Sequence, residues 1–286
     1  MASNLTPSLP GLAAVQNPDG GWGYRGVGSW TEPTVYALLA LRSGAGVPDR
    51  VERGLRWLLR SQRSDGGWAP RPEVDQSTWV TALVLLLLAD HKYSTQAGRA
   101  ADWLLAQTGR ESGWIQQLRR RLIGLEQDPS NKFSGWPWYP ETAAWVVPTS
   151  LTILALEKAG RVLKRPDVEA RIESGRQFLL ARMCGDGGWN HGSSRALGYE
   201  AASYPETTGV ALLALHGARW PKLNMALSTG ERHLRTCRSA EGVSWLRMAM
   251  MAHSRTNEPL FANPLTCRTI AECALCLLAE AAAQGR

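Results

Sequence analysis

Two kinds of apolar pattern alternate along the chain. The first is amphipathic: VERGLRWLLRSQ (51–62) and ARIESGRQFLLARM (170–183) set apolar residues at i, i+3 and i+4 and fill the remainder with Arg, Glu and Gln. The second is apolar nearly all round, in TEPTVYALLALRSGAG (31–46), STWVTALVLLLLAD (77–90), VPTSLTILALEKAG (147–160), ETTGVALLALHGA (206–218) and CRTIAECALCLLAEAAA (267–283). A helix with one wet face lies at a surface, whereas one that is apolar on every side must be buried. The alternation predicts an all-α protein of about five to six outer/inner helical hairpins, closed into an α/α toroid with the apolar helices inside. An open solenoid is the competing arrangement. Thr and Ser before the inner helices suit N-caps, Pro33 and Pro148 suit first turns, and Gly44 and Gly160 suit helix ends.

The connectors repeat as well. QNPDGGW (16–22), QRSDGGW (62–68) and MCGDGGW (183–189) are plainly related, and QTGRESGW (107–114), FSGW (133–136) and SAEGVSW (239–245) are weaker copies. Trp22, Trp68 and Trp114 are equally spaced, a period in the range of helical-repeat arrays. In register, the run from Ala37 to Leu41 falls on Ala211 to Leu215, and Pro33-Thr34 falls on Pro148-Thr149. Residues 1–286 read as a single domain with insertions at about 115–135 and 244–264. The first insertion includes a short basic amphipathic helix at 115–125, IQQLRRRLIGL.

Composition changes this picture little. Thirteen Trp beside three Phe point to a repeated Trp motif or an aromatic-lined cavity. A net charge of +7 permits anionic partners without selecting one, and there is no zinc finger or RNP-like signature, so nucleic acid is not an expected partner. The N-terminus lacks a basic and apolar leader, and Val80 to Ala89 is too short to span a bilayer. Five Cys without a leader are expected as free thiols in the cytoplasm. The basic helix would allow peripheral contact with the inner face of the membrane.

The stretch RGLRWLLRSQRSDGGW (53–68) resembles the QW motif of squalene–hopene and oxidosqualene cyclases. Arg53-Gly54, Trp57-Leu58, Gln62 and Gly66-Gly67-Trp68 fill its slots; SGRQFLLARMCGDGGW (174–189) matches with Met183 in place of Gln. The resemblance runs from about 11 to 283 and extends to the prenyltransferase and terpene cyclase superfamily. It implies an α/α toroid with a central cavity and, as partner, an apolar isoprenoid or other lipid. Physically, Gln serves the open peptide groups of a helix end and Trp fills the gap between repeats, so Gln16, Gln62, Trp22, Trp68 and Trp189 are expected to be scaffold.

Two constellations carry candidate chemistry. The cyclases protonate their substrate with the middle acid of Asp-x-Asp-Asp-Thr. On that resemblance, Pro72-Glu73-Val74-Asp75-Gln76-Ser77-Thr78 makes Asp75 the acid, with Glu73 and Gln76 orienting it. A general acid of this kind must stay protonated in an apolar cavity; the alternative is that these residues cap or flank a helix. Second, Glu32, Glu141 and Glu206 lie near inner-helix starts with Trp30, Trp79, Tyr139, Trp145 and Tyr204 around them. In a ring they would make an aromatic mouth able to stabilise a carbocation, against the alternative of capping and packing. The Asp, Cys and His zinc set of protein prenyltransferase β-subunits is not found. Cys267, Cys273 and Cys276 read as core residues, so no metal and no cofactor are expected. The leading reading is a small terpene cyclase-like protein binding or cyclising an isoprenoid by acid-initiated chemistry. A non-catalytic lipid- or peptide-binding scaffold, and a carbohydrate-active toroid using the mouth carboxylates, are its rivals.

Overall fold

A computed structural model describes residues 6–25, 28–44, 47–110, 133–192, 195–196, 199–255 and 265–285. Eleven helices lie in these segments: α1 Leu9–Ala14, α2 Thr31–Arg42, α3 Pro48–Arg60, α4 Val80–Leu88, α5 Ser94–Ala106, α6 Val146–Leu163, α7 Val168–Ala181, α8 Pro205–Ala214, α9 Leu223–Thr236, α10 Ala240–Ala252 and α11 Ile270–Ala283. The only strands among the described residues are β1 Arg195–Ala196 and β2 Tyr199–Glu200, a small antiparallel hairpin.

The ring closes. Packing runs from α2 to α4, α6, α8, α10 and α11, and α11 returns to α2. Outside this circle, α3 lies on α2, α5 on α4 and α6, α7 on α6, α9 on α8 and α10, and α1 on α2 and α11. The inner/outer division read from the sequence is therefore the architecture, and the open solenoid is excluded. In α4, VTALVLLLL, every residue except Leu86 is buried, as the absence of any polar face requires.

Each turn of the ring is fastened by the same device. The indole N–H groups of Trp22, Trp68, Trp136 and Trp189 donate to the carbonyls of Leu12, Leu58, Leu104 and Leu179, at 2.7–2.8 Å, at the ends of outer helices. Their backbone N–H groups donate to Thr34, Thr81, Thr149 and Thr208 Oγ1 at 2.8–3.0 Å, inside the next inner helix. Gln16 and Gln62 donate to the connector (Gly20 O and Gly66 O) and to the start of the following outer helix (Arg50 O and Gln96 O). The connector acids Asp19, Asp65 and Asp186 each accept from the glycine two residues on and from Ser29, Ser77 or Ser203. Gln and Trp are thus scaffold, as their chemistry suggests.

Three expectations are corrected. Residues 244–252, read as the start of an insertion, complete α10, a sixth inner helix that packs on α8 and α11. Thr and Ser cap only two of the inner helices, Ser239 for α10 and Thr269 for α11; α2, α4, α6 and α8 have Trp30, Trp79, Trp145 and Tyr204 there, without a side-chain cap. In those four the Thr hydroxyls are committed to the Trp backbone instead. Gly160 does not end α6, which continues to a left-handed Lys164. The insertion core and the basic helix at 115–125 lie outside the described residues, as do 256–264.

Candidate functional site

Because all six inner helices begin at the same end of the ring, their first turns form a rim. Four successive helices set an aromatic residue at the N-cap: Trp30, Trp79, Trp145 and Tyr204. Trp30 meets Tyr24 edge to face at 5.5 Å, Trp79 meets Trp138 at 4.7 Å, and His191 bridges Trp145 and Tyr204 at 6.5 and 5.3 Å. Tyr139, Trp145 and Tyr204 remain exposed. These rings gather at the end of the circle where the inner helices begin.

Four of the helices also carry Glu in the first turn: Glu32 on α2, Glu206 on α8, Glu241 on α10 and Glu272 on α11. These helices are consecutive round the circle, so the carboxylates share one arc. A carboxylate at a helix N-terminus is favoured by the helix dipole, which explains one such residue but not their mutual repulsion. Tyr24 donates its hydroxyl to Glu32 Oε2, and its carbonyl accepts from Ile270 N at 3.0 Å, tying the connector to the start of α11. One turn further in, Tyr36 and Trp245 meet edge to face at 6.2 Å. They lie on α2 and α10, which flank α11, so they meet on its inner side. Glu32 and Tyr36, like Glu241 and Trp245, are i, i+4 pairs on one helix face. Two carboxyls therefore each stand one turn before one of two aromatic rings that meet.

Glu241 keeps more than a third of its surface accessible, yet burial is the first cause raising its pKa to about 7, followed by the charges of Glu32, Glu206 and Glu272. Glu241 is therefore reachable at the rim, with the carboxylates of the neighbouring first turns around it. Burial likewise raises Glu32, opposed by the Tyr24 hydrogen bond, and raises the Tyr36 hydroxyl well above its ordinary range. A carboxyl raised in the native state holds a proton that the unfolded chain has already lost. The associated stability is complete below the ordinary carboxylate range and disappears as pH rises through about 7. Glu241→Gln should therefore flatten the loss of stability between pH 5 and 8 and leave the variant about 1 kcal/mol more stable than wild type at pH 8, a figure discounted for solvent screening. Urea titrations with parallel pH dependence in both proteins would contradict this.

The sequence-derived acid is elsewhere. Asp75 is 97% exposed and paired with Arg63 at 2.6 Å. Glu73 is 71% exposed, 3.7 Å from Arg71, and Gln76 is exposed beside them. A carboxyl standing in water against a guanidinium is not in an apolar cavity, where the donor to an apolar substrate has to be. The motif alignment is corrected on that ground: these residues belong to the outer surface of the connector. Asp75→Asn should shift stability by less than about 1 kcal/mol and leave any turnover unchanged; a tenfold loss of turnover would reinstate it. Glu141 is exposed on the loop before α6, in a left-handed conformation with φ 64°, and is not among the carboxylates that act on Glu241. Glu32 and Glu206 both act on Glu241. The residues missed were Tyr24, Tyr36, Glu241, Trp245 and Glu272, although an acid at the second or third residue of an inner helix, in TEPT, PETT, AEGV and IAEC, was available as the signal.

At the opposite end of the ring, a cavity of about 940 Å³ is lined by Glu157, Arg161, Lys164, Arg165, Arg176 and His216 among others. Arg165 is paired with Asp102 and Asp167, and Arg176 with Glu157, so this hollow is polar and largely charge-balanced. Among the described residues no cluster of His, Cys, Asp and Glu fits a metal ion, and no helix is long and apolar enough to cross a membrane.

No protein-family model matches the chain. Sixty-four residues, 22% of the chain, are 47% identical to a drimenyl diphosphate synthase of Streptantibioticus cattleyicolor, covering 12% of that protein. Over 176 residues, 61% of the chain, it is 26% identical to the squalene–hopene cyclase of Bradyrhizobium diazoefficiens, covering 24% of that protein. Among solved structures, the type II terpene cyclase MstE of Scytonema superposes with a TM-score of 0.60 at 15% identity, covering 96% of this chain and 95% of that one. The chain is cyclase-like in sequence and in fold. An endo-β-1,4-glucanase of Acetobacter xylinum superposes almost as well, with a TM-score of 0.59 at 13% identity over 97% of this chain and 98% of that one. The ring alone therefore does not choose a chemistry; the sequence matches are what turn the comparison toward cyclases. The matched stretches span a quarter or less of these curated relatives, so the cyclase-like toroid corresponds to part of such a protein.

Proposed function

We propose that the toroid admits an apolar isoprenoid through its N-terminal rim and serves acid-initiated cyclisation of it. The observation that carries this reading is the closed ring whose rim sets protonatable carboxyls one turn before aromatic rings. The carboxyls offer a proton to an alkene or epoxide, and the aromatic faces offer electron density to the cation that results. Similarity to a drimenyl diphosphate synthase and a squalene–hopene cyclase supports the same chemistry. The glucanase-like alternative has the carboxylates in its favour, but the wall beneath them is aromatic and the inner helices are apolar. A second reading is favoured by the surface position of the acid motif: a toroid that binds an isoprenoid without converting it.

The test is binding. Solvent extraction of the purified protein, followed by titration with squalene, 2,3-oxidosqualene, geranylgeraniol and geranylgeranyl diphosphate, should find at least one saturable ligand by Trp fluorescence. Trp30→Ala or Trp79→Ala should weaken that ligand about tenfold, the loss expected for one aromatic contact. Absence of binding for all four, with no co-purifying isoprenoid, would refute the proposal. Binding without product would select the second reading.

A further inference from the structure

We propose that Glu241 is the proton donor of this site, with Glu32 and Tyr24 as the pair that positions it. The proposal rests on the cyclisation reading above and relocates the acid to a different helix from the one that the motif resemblance indicates. Three independent features of the geometry lead to it.

The first is place. A donor to a substrate entering at the rim must stand there, and Glu241 is accessible on the first turn of an inner helix, with Glu32, Glu206 and Glu272 of the neighbouring first turns acting on it. Asp75, Glu73 and Glu141 are out in solvent. Glu32 is more enclosed than Glu241, but one of its oxygens already accepts the Tyr24 hydroxyl, which favours its ionised form. Burial raises both carboxyls, but Glu32 is the more enclosed and is engaged by Tyr24, whereas Glu241 is the one a guest at the rim can reach.

The second is what lies beneath. Trp245 and Tyr36 form a wall one turn below the two carboxyls. A proton delivered from Glu241 creates positive charge on the substrate next to that wall. The step balances simply: the Oε–H bond breaks and the alkene electron pair forms a C–H bond. The tertiary carbocation is left on the adjacent carbon, and the Glu241 carboxylate is left behind as its counter-ion. With an epoxide, the proton goes to the oxygen and the C–O bond opens to the same kind of cation. A later proton loss to Glu241 restores the acid, so no other reagent is consumed.

The third is the charge around it. Facing Glu241 are Glu32 from α2, Glu206 from α8 and Glu272 from α11; from α9, His233 acts on Glu206 and Asp186, and Cys237 lies near Glu206. The charges acting most strongly on Glu241 are all carboxylates. A new negative charge there is opposed by its neighbours, which keeps the acid protonated until a cation forms beside it. Positive charge in the substrate relieves that opposition, so the arrangement favours the charged product of the transfer over the neutral ground state.

Turnover of squalene, 2,3-oxidosqualene and geranylgeraniol by the wild type, Glu241→Gln, Glu241→Asp, Glu32→Gln and Tyr24→Phe decides the matter, with affinity measured in parallel. Glu241→Gln should lose at least about 100-fold in turnover, the usual contribution of a general acid, while affinity stays within about threefold. Glu241→Asp should recover part of the rate. Glu32→Gln and Tyr24→Phe should keep substantial turnover but displace the pH at which the rate falls, to lower pH for Glu32→Gln because a repelling charge has gone. A purely structural role would lower the rate without moving that midpoint. Glu241→Gln retaining more than a tenth of wild-type turnover would overturn the assignment while leaving the cyclisation reading intact. Binding with no turnover by the wild type would remove the acid role and leave only an isoprenoid-binding ring. Failure to bind any of these, or geranylgeranyl diphosphate, would remove both.

Discussion

Trp189→Ala should cost about 3–5 kcal/mol of folding free energy, the range for deleting a buried aromatic. Trp189 is wholly buried and sits at the junction of three elements. Its indole donates to Leu179 O at 2.7 Å, its backbone N–H to Thr208 Oγ1 at 3.0 Å, and its ring packs edge-on against Trp220 at 6.0 Å. Truncation leaves a cavity between repeats and the Leu179 carbonyl without its donor, and the two losses add. By contrast, Trp145→Ala should cost less than about 1 kcal/mol, because Trp145 is 38% exposed on the rim. The same residue type thus separates into scaffold and mouth. Denaturant midpoints in which the two substitutions are equally damaging would remove that distinction.

Gly66→Ala should destabilise by about 2–4 kcal/mol, from left-handed strain together with overpacking. Gly66 has φ 94°, and an added Cβ would stand 2.7 Å from the Arg99 carbonyl oxygen, a backbone atom of α5 that cannot swing away. The connector turn needs that conformation to bring its carbonyl to Gln62 and its Trp into the gap. Gly98, inside α5 with open space around its Cβ position, is the control: Gly98→Ala should stabilise by roughly 0.5–1 kcal/mol. If the two changes have the same sign in urea unfolding, the connector is not the rigid fastener described.

Most of the ring could be read from the chain because its causes are local. A helix without a polar face has to be inside, and a recurring Gln, Asp-Gly-Gly and Trp has to be doing the same thing each time. The sixth inner helix escaped because its inward residues are not uniformly apolar. SWLRMAMMAHSR carries Arg247, only 7% exposed, near the charge of Glu280 and the Cys276 thiol, and a buried Arg in the pattern reads as an interruption. N-cap preference is a local rule and holds for Thr269 on α11, whereas the partner of Thr34, Thr81, Thr149 and Thr208, a Trp backbone N–H twelve to nineteen positions earlier, is tertiary.

The site was half legible for a related reason. Glu32 and Glu206 were found because TEPT and PETT are visibly alike, and similar sequence in a ring means a similar height on the wall. Glu241 and Glu272 occupy the same height in AEGV and IAEC, where the acid near the helix start is the one shared feature and closure of the circle shows that they belong with Glu32 and Glu206. Asp75 shows the converse. A run of acids resembling a catalytic motif has no depth written into it, and here the connector turns it outward onto Arg63. Burial, which decides whether a carboxyl keeps its proton, is a property of the assembled ring.

The central claim is that the closed ring holds a carboxyl protonated near neutral pH, above aromatic faces and within reach of an apolar guest. Infrared difference spectra of the wild type and Glu241→Gln, recorded across a pH titration, test it without any substrate. A protonated carboxyl C=O band that persists in the wild type and disappears around pH 7, but is missing from the variant, is the predicted result. If no protonated carboxyl survives above pH 5–6, or if the band titrates unchanged in Glu241→Gln, the acid described here does not exist.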